Sequence, residues 1–392
     1  MVPFVLPSLE EQMHRELAAL EAIGRARFCP SCSGPSKTHP CVEGQALVSF
    51  CSNDYLGLSS HPALTEAALS ALRRSGLGSG ASRLVSGSLQ EHRDLENALA
   101  RFLGVETALL FPTGYQTNLG VLTALAGPGD LVLSDHSNHA SIIDACRLSG
   151  ARPAFYRHLD LSSAEKRLKS LAPHTRRRFL VTESLFGMDG HVAPLAALDE
   201  LAKRYDAALV VDEAHALGVL GPDGKGLCHQ QKVFPDVLIG TLGKAFGASG
   251  GFAAGNKTLH DYLVNRSRTF IFTTALPPPI AAAARAALHI IEGSEGQALR
   301  DTLSALTARF SSSLPSPYRL APVTPIFPIT FGPDTAALRA SQDLRDKGFF
   351  VQPIRPPTVP EGTSRLRITL SAAHKPADID ALSAALAPLI GS

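Results

Sequence analysis

Ala208-Leu209-Val210-Val211-Asp212-Glu213-Ala214-His215 is an apolar run that ends in a carboxylate and, three residues on, an imidazole. Such a run reads as a buried strand that delivers two ionisable groups to the carboxyl edge of a sheet. Working outward, similar short runs occur at 107–111, 131–134, 153–156, 179–183, 237–240 and 251–254. Helical patterns such as 195–205 lie between most of them, so crossover connections and a mainly parallel seven-stranded sheet are expected. In sheets of this kind ligands sit at the carboxyl ends of the strands. The residues just past each run are therefore the ones to read for chemistry.

Asp212 and His215 taken alone also fit a helix N-cap followed by a surface histidine. The letters Asp-Glu-Ala-His further resemble a helicase motif, a reading that requires a phosphate loop, Gly-x-x-x-x-Gly-Lys-Ser/Thr. Gly243-Lys244 has Leu238 and Ala245 at the diagnostic positions, and Gly224-Lys225 has Val219 and Gly226, so neither pair qualifies. The glycines Gly76, Gly78 and Gly80 do not follow a strand directly and make no dinucleotide fingerprint. What Gly240-Thr241-Leu242-Gly243-Lys244 does supply is a lysine just past a strand, among Gly247, Gly250 and Gly251. The default for a lysine is a solvated loop, but apolar, glycine-dense flanks strip its hydration and lower its pKa. A lysine of that type forms Schiff bases. With Asp212 as partner for a ring nitrogen, it makes the pair expected around pyridoxal phosphate.

Five stretches in order then carry a resemblance: Asn53-Asp54-Tyr55-Leu56-Gly57-Leu58, Gly78-Ser79-Gly80-Ala81-Ser82-Arg83, 135–141, Asp212-Glu213-Ala214-His215 and Thr241-Leu242-Gly243-Lys244. Over nearly the whole chain the sequence resembles the α-oxoamine synthase family of fold-type I pyridoxal-phosphate enzymes. The resemblance implies an α/β, aspartate aminotransferase-like fold with a small α+β C-terminal domain. It also implies a homodimer with shared active sites. Lys244 is implied as the cofactor's covalent anchor and the base at Cα. Asp212 is implied at the pyridine nitrogen, His139 on the ring face and His215 at the phenolic oxygen, whereas His136 reads as loop structure. Phosphate binding falls to the turn Thr113-Gly114-Tyr115, whose backbone donors open a helix, with Thr241 and, from the partner subunit, the match of Thr274. Asn53 and Arg367 are the expected clamps on an amino-acid carboxylate, a task that suits arginine's planar fork. Arg355 is expected at the acyl-substrate end, with Thr358, Arg25 or Arg27 nearby.

Within the family, Ile354-Arg355-Pro356-Pro357-Thr358-Val359-Pro360 followed by Arg365-Leu366-Arg367 most resembles the biotin-pathway branch. That implies L-alanine and pimeloyl-CoA or pimeloyl-acyl carrier protein as substrates. Relatives that use glycine tend to carry Thr-Arg-Asn where this chain has Ser82-Arg83-Leu84. Other amino acids and acyl thioesters remain open alternatives, as does a non-catalytic partner subunit. One departure stands out: the family commonly has Ser where Glu183-Ser184-Leu185-Phe186-Gly187-Met188-Asp189-Gly190 has Gly187. A hydroxyl is thereby missing close to the expected cofactor.

Composition bounds the rest. Of 392 residues 45% are apolar, enough for a large core, and a net charge of +2 offers no broad basic surface for nucleic acid. The longest apolar stretch, 280–291, is broken by Arg285 and His289 and is too short to span a bilayer. Residues 1–16 lack the layout of a secretory signal, so a soluble, cytoplasmic enzyme is expected. Cys29-x-x-Cys32 with His39 and Cys41 matches no standard zinc spacing and reads as free thiols, with no metal expected. Length alone suggests two or three domains. The motifs divide the chain into an N-terminal helix and segment (1–60), a large cofactor domain (61–276) and a small C-terminal domain (277–392).

Overall fold

The computed structural model describes residues 8–391. The start of the 1–60 segment, part of the 1–16 leader reading and the final serine lie outside the described residues. Seven strands build the central sheet: β1 (Thr107–Phe111), β2 (Leu131–Asp135), β3 (Arg152–Tyr156), β4 (Arg178–Glu183), β5 (Ala208–Asp212), β6 (Val237–Thr241) and β7 (Gly251–Gly255). All seven lie within one residue of the runs read from sequence. Their order is β1-β7-β6-β5-β4-β2-β3. β7 runs antiparallel to both neighbours, and every other pairing is parallel.

The strands read as continuous apolar runs because both faces of the sheet are covered. Val132, Val181, Val210 and Ile239 pack on one face with Val121 and Ile142, which come from helices Gly114–Leu125 and Ala140–Leu148. Their chain neighbours Leu133, Leu180, Val211 and Leu238 face the other way, into a core that continues to Phe327, Leu366 and Leu386. Strand ends rather than strand middles therefore have room for polar chemistry. Asp135, Glu183, Asp212 and Thr241 all close parallel strands on one edge of the sheet.

Beyond the sheet, helices Pro278–Glu292 and Ser294–Ser313 are separated only by Gly293. A three-stranded antiparallel sheet follows, of β8 (Ile326–Gly332), β9 (Pro353–Ile354) and β10 (Ser364–Thr369), with helices Asp334–Asp346 and Pro376–Ile390. Residues 349–354 hold two short strands that belong to different sheets. Phe349–Phe350 pairs with Val48–Ser49, and β9 pairs with β10. Residues 45–49 likewise form two short pieces, Gln45–Ala46 and Val48–Ser49. Two-residue strands are too short for hydrophobic period to resolve, and Val48–Ser49 meets Phe349–Phe350 across about 300 residues of chain.

Helix Leu9–Ala22 opens with Ser8 and Glu11 in a reciprocal capping box. None of its residues is buried, and Leu9, Met13 and Leu17 are exposed. Among the described residues no helix is long and apolar enough to cross a membrane.

Candidate active site

Lys244 sits in the tight turn that joins β6 to the antiparallel β7. The turn is closed by Leu242 N–H donating to Gly250 O (3.0 Å) and Gly247 N–H donating to Lys244 O (2.9 Å). Gly247 adopts φ +63°, and a Cβ there would run into the backbone of Leu58 and Ser59, so the turn packs directly on the 53–59 segment. Burial lowers the Lys244 pKa to about 8, while the nearby carboxylates of Asp212 and Glu183 oppose that fall.

Asp212, at the end of β5, is buried. It accepts from Ala214 N–H (2.8 Å) and from Asn118 Nδ2 (2.8 Å). On the adjacent parallel strand its register partner is Glu183. Glu183 is buried and accepts from the backbone N–H of His139 (2.5 Å) and of Gly187 (3.4 Å). Desolvation first, and Asp212 second, push the Glu183 carboxyl up to about 8.

His215 is buried, with its pKa well below the ordinary histidine value, mainly through desolvation and then through Lys244 and Arg367. Its Nδ1 meets the Tyr55 hydroxyl at 2.8 Å. Its Nε2 lies against Gly187, where any Cβ would collide with the imidazole. The missing hydroxyl noted in the sequence thus has a steric counterpart: as His215 is placed, position 187 has no room for a side chain. Arg367, on β10, donates from Nε to Gly187 O (2.5 Å) and from Nη2 to Asn53 Oδ1 (2.9 Å). The two expected carboxylate clamps are hydrogen-bonded to each other across 314 residues of chain.

Thr113 caps helix Gly114–Leu125, its hydroxyl accepting from Gln116 N–H. The N–H groups of Gly114 and Tyr115 open that helix and have no partner within it. A Cβ on Gly114 would stand 3.4 Å from Thr241 Oγ1, so this turn and the end of β6 face each other. Tyr115 is exposed, hydrogen-bonded to Asp144 and edge-on to His139 at 6.5 Å between ring centroids. A half-buried lysine, a buried carboxylate, flanking histidines and a helix N-terminus with free donors fit a pyridoxal phosphate: amine for the aldehyde, acid for the ring nitrogen, N–H groups for the phosphate.

The remaining expected residues form a second cluster. Arg25 is committed to carboxylates, with Nε donating to Asp334 (2.7 Å) and both Nη atoms to Glu361 (2.8 and 2.5 Å). Arg27 donates to Pro356 O (2.9 Å), while Arg355 donates to Gly24 O and Ala26 O. Arg25, Arg27, Leu20, Ile23, Pro356 and Val359 line a cleft of about 360 Å³, and Thr358 is exposed nearby in sequence. β10 links this cluster to the first: Ser364 bonds Asp334, Arg365 pairs with Asp189, and Arg367 reaches Asn53. Thr274 is exposed on the segment before the prolines, and His136 lies in a loop, exposed. In the 78–83 stretch, Ser79 bonds Leu276 O and Arg83 holds Glu96 through two bonds, which are structural contacts. His39 meets Thr38 and Asp378, and among the described residues no group of three or more His, Cys, Asp or Glu is placed to hold a metal.

Glu183, Asn118, Ser141 and Tyr55 join the site without having been given roles from sequence. Glu183 carried a legible signal, since it ends an apolar run as Asp212 does.

The family model for class I and II aminotransferases matches residues 45–386. The chain belongs to this family. As an aminotransferase-family member it is also similar, along its whole length, to proteins named 8-amino-7-oxononanoate synthase. The one from Herminiimonas arsenicoxydans is 48% identical, over 96% of this chain and 99% of the relative. Among solved structures, serine palmitoyltransferase from S. paucimobilis with PLP and myriocin bound is 29% identical, with a TM-score of 0.90, covering 98% of this chain and 99% of the other. The 8-amino-7-oxononanoate synthase of Francisella tularensis is 28% identical, with a TM-score of 0.74 over 88% of this chain and 96% of that one. These likenesses bear out the fold-type I expectation and the α-oxoamine synthase resemblance.

Proposed function

We propose that this enzyme joins L-alanine to a pimeloyl thioester, carried on coenzyme A or acyl carrier protein. The products are 8-amino-7-oxononanoate, carbon dioxide and free thiol, a step of biotin formation with pyridoxal phosphate as cofactor. The observation that carries the reading is the Arg367–Asn53 clamp close to Lys244 and Asp212, which suits an amino-acid substrate. The acyl partner follows from the named relatives.

The cofactor, when bound, supplies an electron sink for the charge that develops at the alanine Cα. Lys244 anchors it and, once free, takes the Cα proton, a task suited to an amine held near pH 8. Asp212 would hold a proton at the ring nitrogen of the bound cofactor, and His215 would donate to its phenolic oxygen. His139 would pack against the ring. Arg367 and Asn53 orient the alanine carboxylate. The Gly114 and Tyr115 N–H groups, Thr241 and the partner subunit's equivalent of Thr274 hold the phosphate. A bond forms between alanine Cα and the thioester carbonyl carbon as the carbon–sulfur bond breaks, and the departing thiolate takes a proton from solvent. The alanine carboxylate then leaves as carbon dioxide, and Lys244 returns a proton to Cα. Arg27, Arg355 and Thr358 receive the acyl end, and Arg25, neutralised by two carboxylates, shapes that cleft.

The same reading takes 61–276 as the cofactor-binding unit, flanked by 1–60 and 277–392. It also takes the active form as a cytoplasmic homodimer. The uncovered apolar face of helix Leu9–Ala22, with Leu77, Val85 and Phe272 exposed, supports a partner subunit.

Purified protein is tested with a panel of thioesters against alanine, glycine and serine, monitored by thiol release. The expected result is turnover with alanine and a pimeloyl thioester and none in Lys244→Ala. A Lys244→Ala protein that still condensed the pair, or a wild type that preferred another pair, would overturn the reading.

A further inference from the structure

Asn118 and Ser141 are both buried beside the site, yet the reaction described above gives neither of them a role. Asn118 Nδ2 donates one hydrogen to Asp212 Oδ2 (2.8 Å) and the other to Ser141 Oγ (3.0 Å). Ser141 Oγ in turn lies 2.8 Å from His139 Nδ1, and Ser141 N–H donates to the same nitrogen at 3.3 Å. Four side chains from β5, helix Gly114–Leu125 and the first turn of helix Ala140–Leu148 therefore form one continuous chain.

Donor and acceptor accounting orients every link. Asp212 offers only acceptors, so the Asn118 amide must present its NH2 group there. The opposite orientation would set two oxygens against each other. Ser141 Oγ, already accepting from Asn118, has its own hydrogen free for His139. A backbone N–H also points at His139 Nδ1, so that nitrogen carries no proton and the ring hydrogen sits on Nε2. Asn118 Oδ1 is buried with no partner. An orphaned acceptor is a cost that apolar packing at this position would avoid, which is unusual unless the other end of the amide is needed.

We propose that Asn118 and Ser141 are positioning residues for the reaction: they hold the Asp212 carboxylate in place and set His139 as the neutral, Nε2-protonated tautomer. The proposal rests on the reading of Asp212 and His139 as the groups at the ring nitrogen and ring face. In that setting a neutral His139 would add no second cation to compete with the proton that Asp212 would hold at the ring nitrogen. Other groups also act on His139. They are Asp212 from β5, Lys244 from the β6–β7 turn, Asp144 from its own helix, Glu183 through the backbone N–H, and the Tyr115 ring. Desolvation of His139 favours the neutral form in the same direction.

The test is nitrogen NMR of the full chain labelled at histidine, with and without pyridoxal phosphate, His139 being assigned by its loss in His139→Gln. Wild type at pH 7.5 is expected to show the Nε2–H tautomer. Ser141→Ala is expected to raise the His139 titration midpoint by roughly half a unit or more, because a donor to the neutral form is lost, and Ser141→Thr to restore it. Asn118→Ala is expected to weaken pyridoxal phosphate binding about fivefold to twentyfold, the loss of one hydrogen bond to a charged group. An Nδ1–H tautomer or a cation at pH 7.5 in wild type overturns the proposal, whatever the variants do. An unchanged midpoint in Ser141→Ala does so too. A wild type that fails to condense alanine sinks the functional reading instead, and the tautomer still decides this one.

Discussion

Glu183 and Asp212 are direct register partners on adjacent parallel strands, one closing β4 and the other closing β5. In-register neighbours of a parallel pair point to the same face, so two carboxyl groups are set side by side at a buried sheet edge, with Lys244 leaving the next strand. Like charges in a desolvated site cannot both ionise cheaply. Glu183 is the one pushed up, to about 8, while Asp212 is held by Asn118 and Ala214.

Stability of the cofactor-free protein is expected to fall as pH rises through this region. The folded-state value of Glu183 lies above its ordinary value of 4.5. Between about 4.5 and 8 the folded chain therefore keeps a proton that the unfolded chain has lost. The contribution is complete below the lower value and gone above the upper one. Calorimetry from pH 4.5 to 8.5 on wild type and Glu183→Gln should show a flatter decline in the variant, by at least ~1 kcal/mol. Parallel curves would mean that Glu183 is ionised throughout.

Cofactor uptake should follow the charge state of Lys244. Lys244 reacts as the neutral amine, and its value is lowered to about 8. Stopped-flow absorbance is expected to show the loading rate rising with pH, roughly tenfold per unit, and levelling off above about 8. A rate independent of pH from 6 to 9 would contradict this account.

Arg367→Lys should act mainly on amino-acid binding. The guanidinium bridges Gly187 O and Asn53 Oδ1 at once, a span that a lysine point charge cannot reproduce. Steady-state kinetics are expected to give a KM for alanine raised about tenfold to a hundredfold, in line with the loss of charged hydrogen bonds, and a smaller change for the thioester. Equal effects on both substrates would place Arg367 elsewhere in the reaction.

Gly187→Ala should destabilise the protein through a collision with His215. Overpacking of a buried site typically costs ~1–3 kcal/mol. His215→Ala opens the space, so the double variant is expected to recover most of the loss introduced at 187, which urea denaturation of all four proteins would measure. Strict additivity would show that the two residues do not share that space.

Much of this molecule was legible before any coordinate. The seven strands stand out because a doubly covered sheet demands unbroken apolar runs, and five of those runs end at or next to a glycine or a carboxylate. Lys244 and Asp212 were legible for the same reason, as polar residues at the ends of such runs. Asn118 was not. It lies inside an apolar helical pattern, where one polar residue on the buried face looks like any other until its partners are known. Ser141 looked like an ordinary first-turn residue.

By itself the sequence determined the order of strands and helices, the sheet edge at which chemistry is possible, and the residue types delivered there, because these depend on local period and on strand length. Only the tertiary structure decided which distant groups meet. It joined Asn53 to Arg367, neutralised Arg25 with Asp334 and Glu361, split 350–353 between two sheets, and set His215 against Gly187. Those outcomes depend on the packing of segments up to 336 residues apart. Side-chain hydrogen bonds across such separations have no local period to betray them.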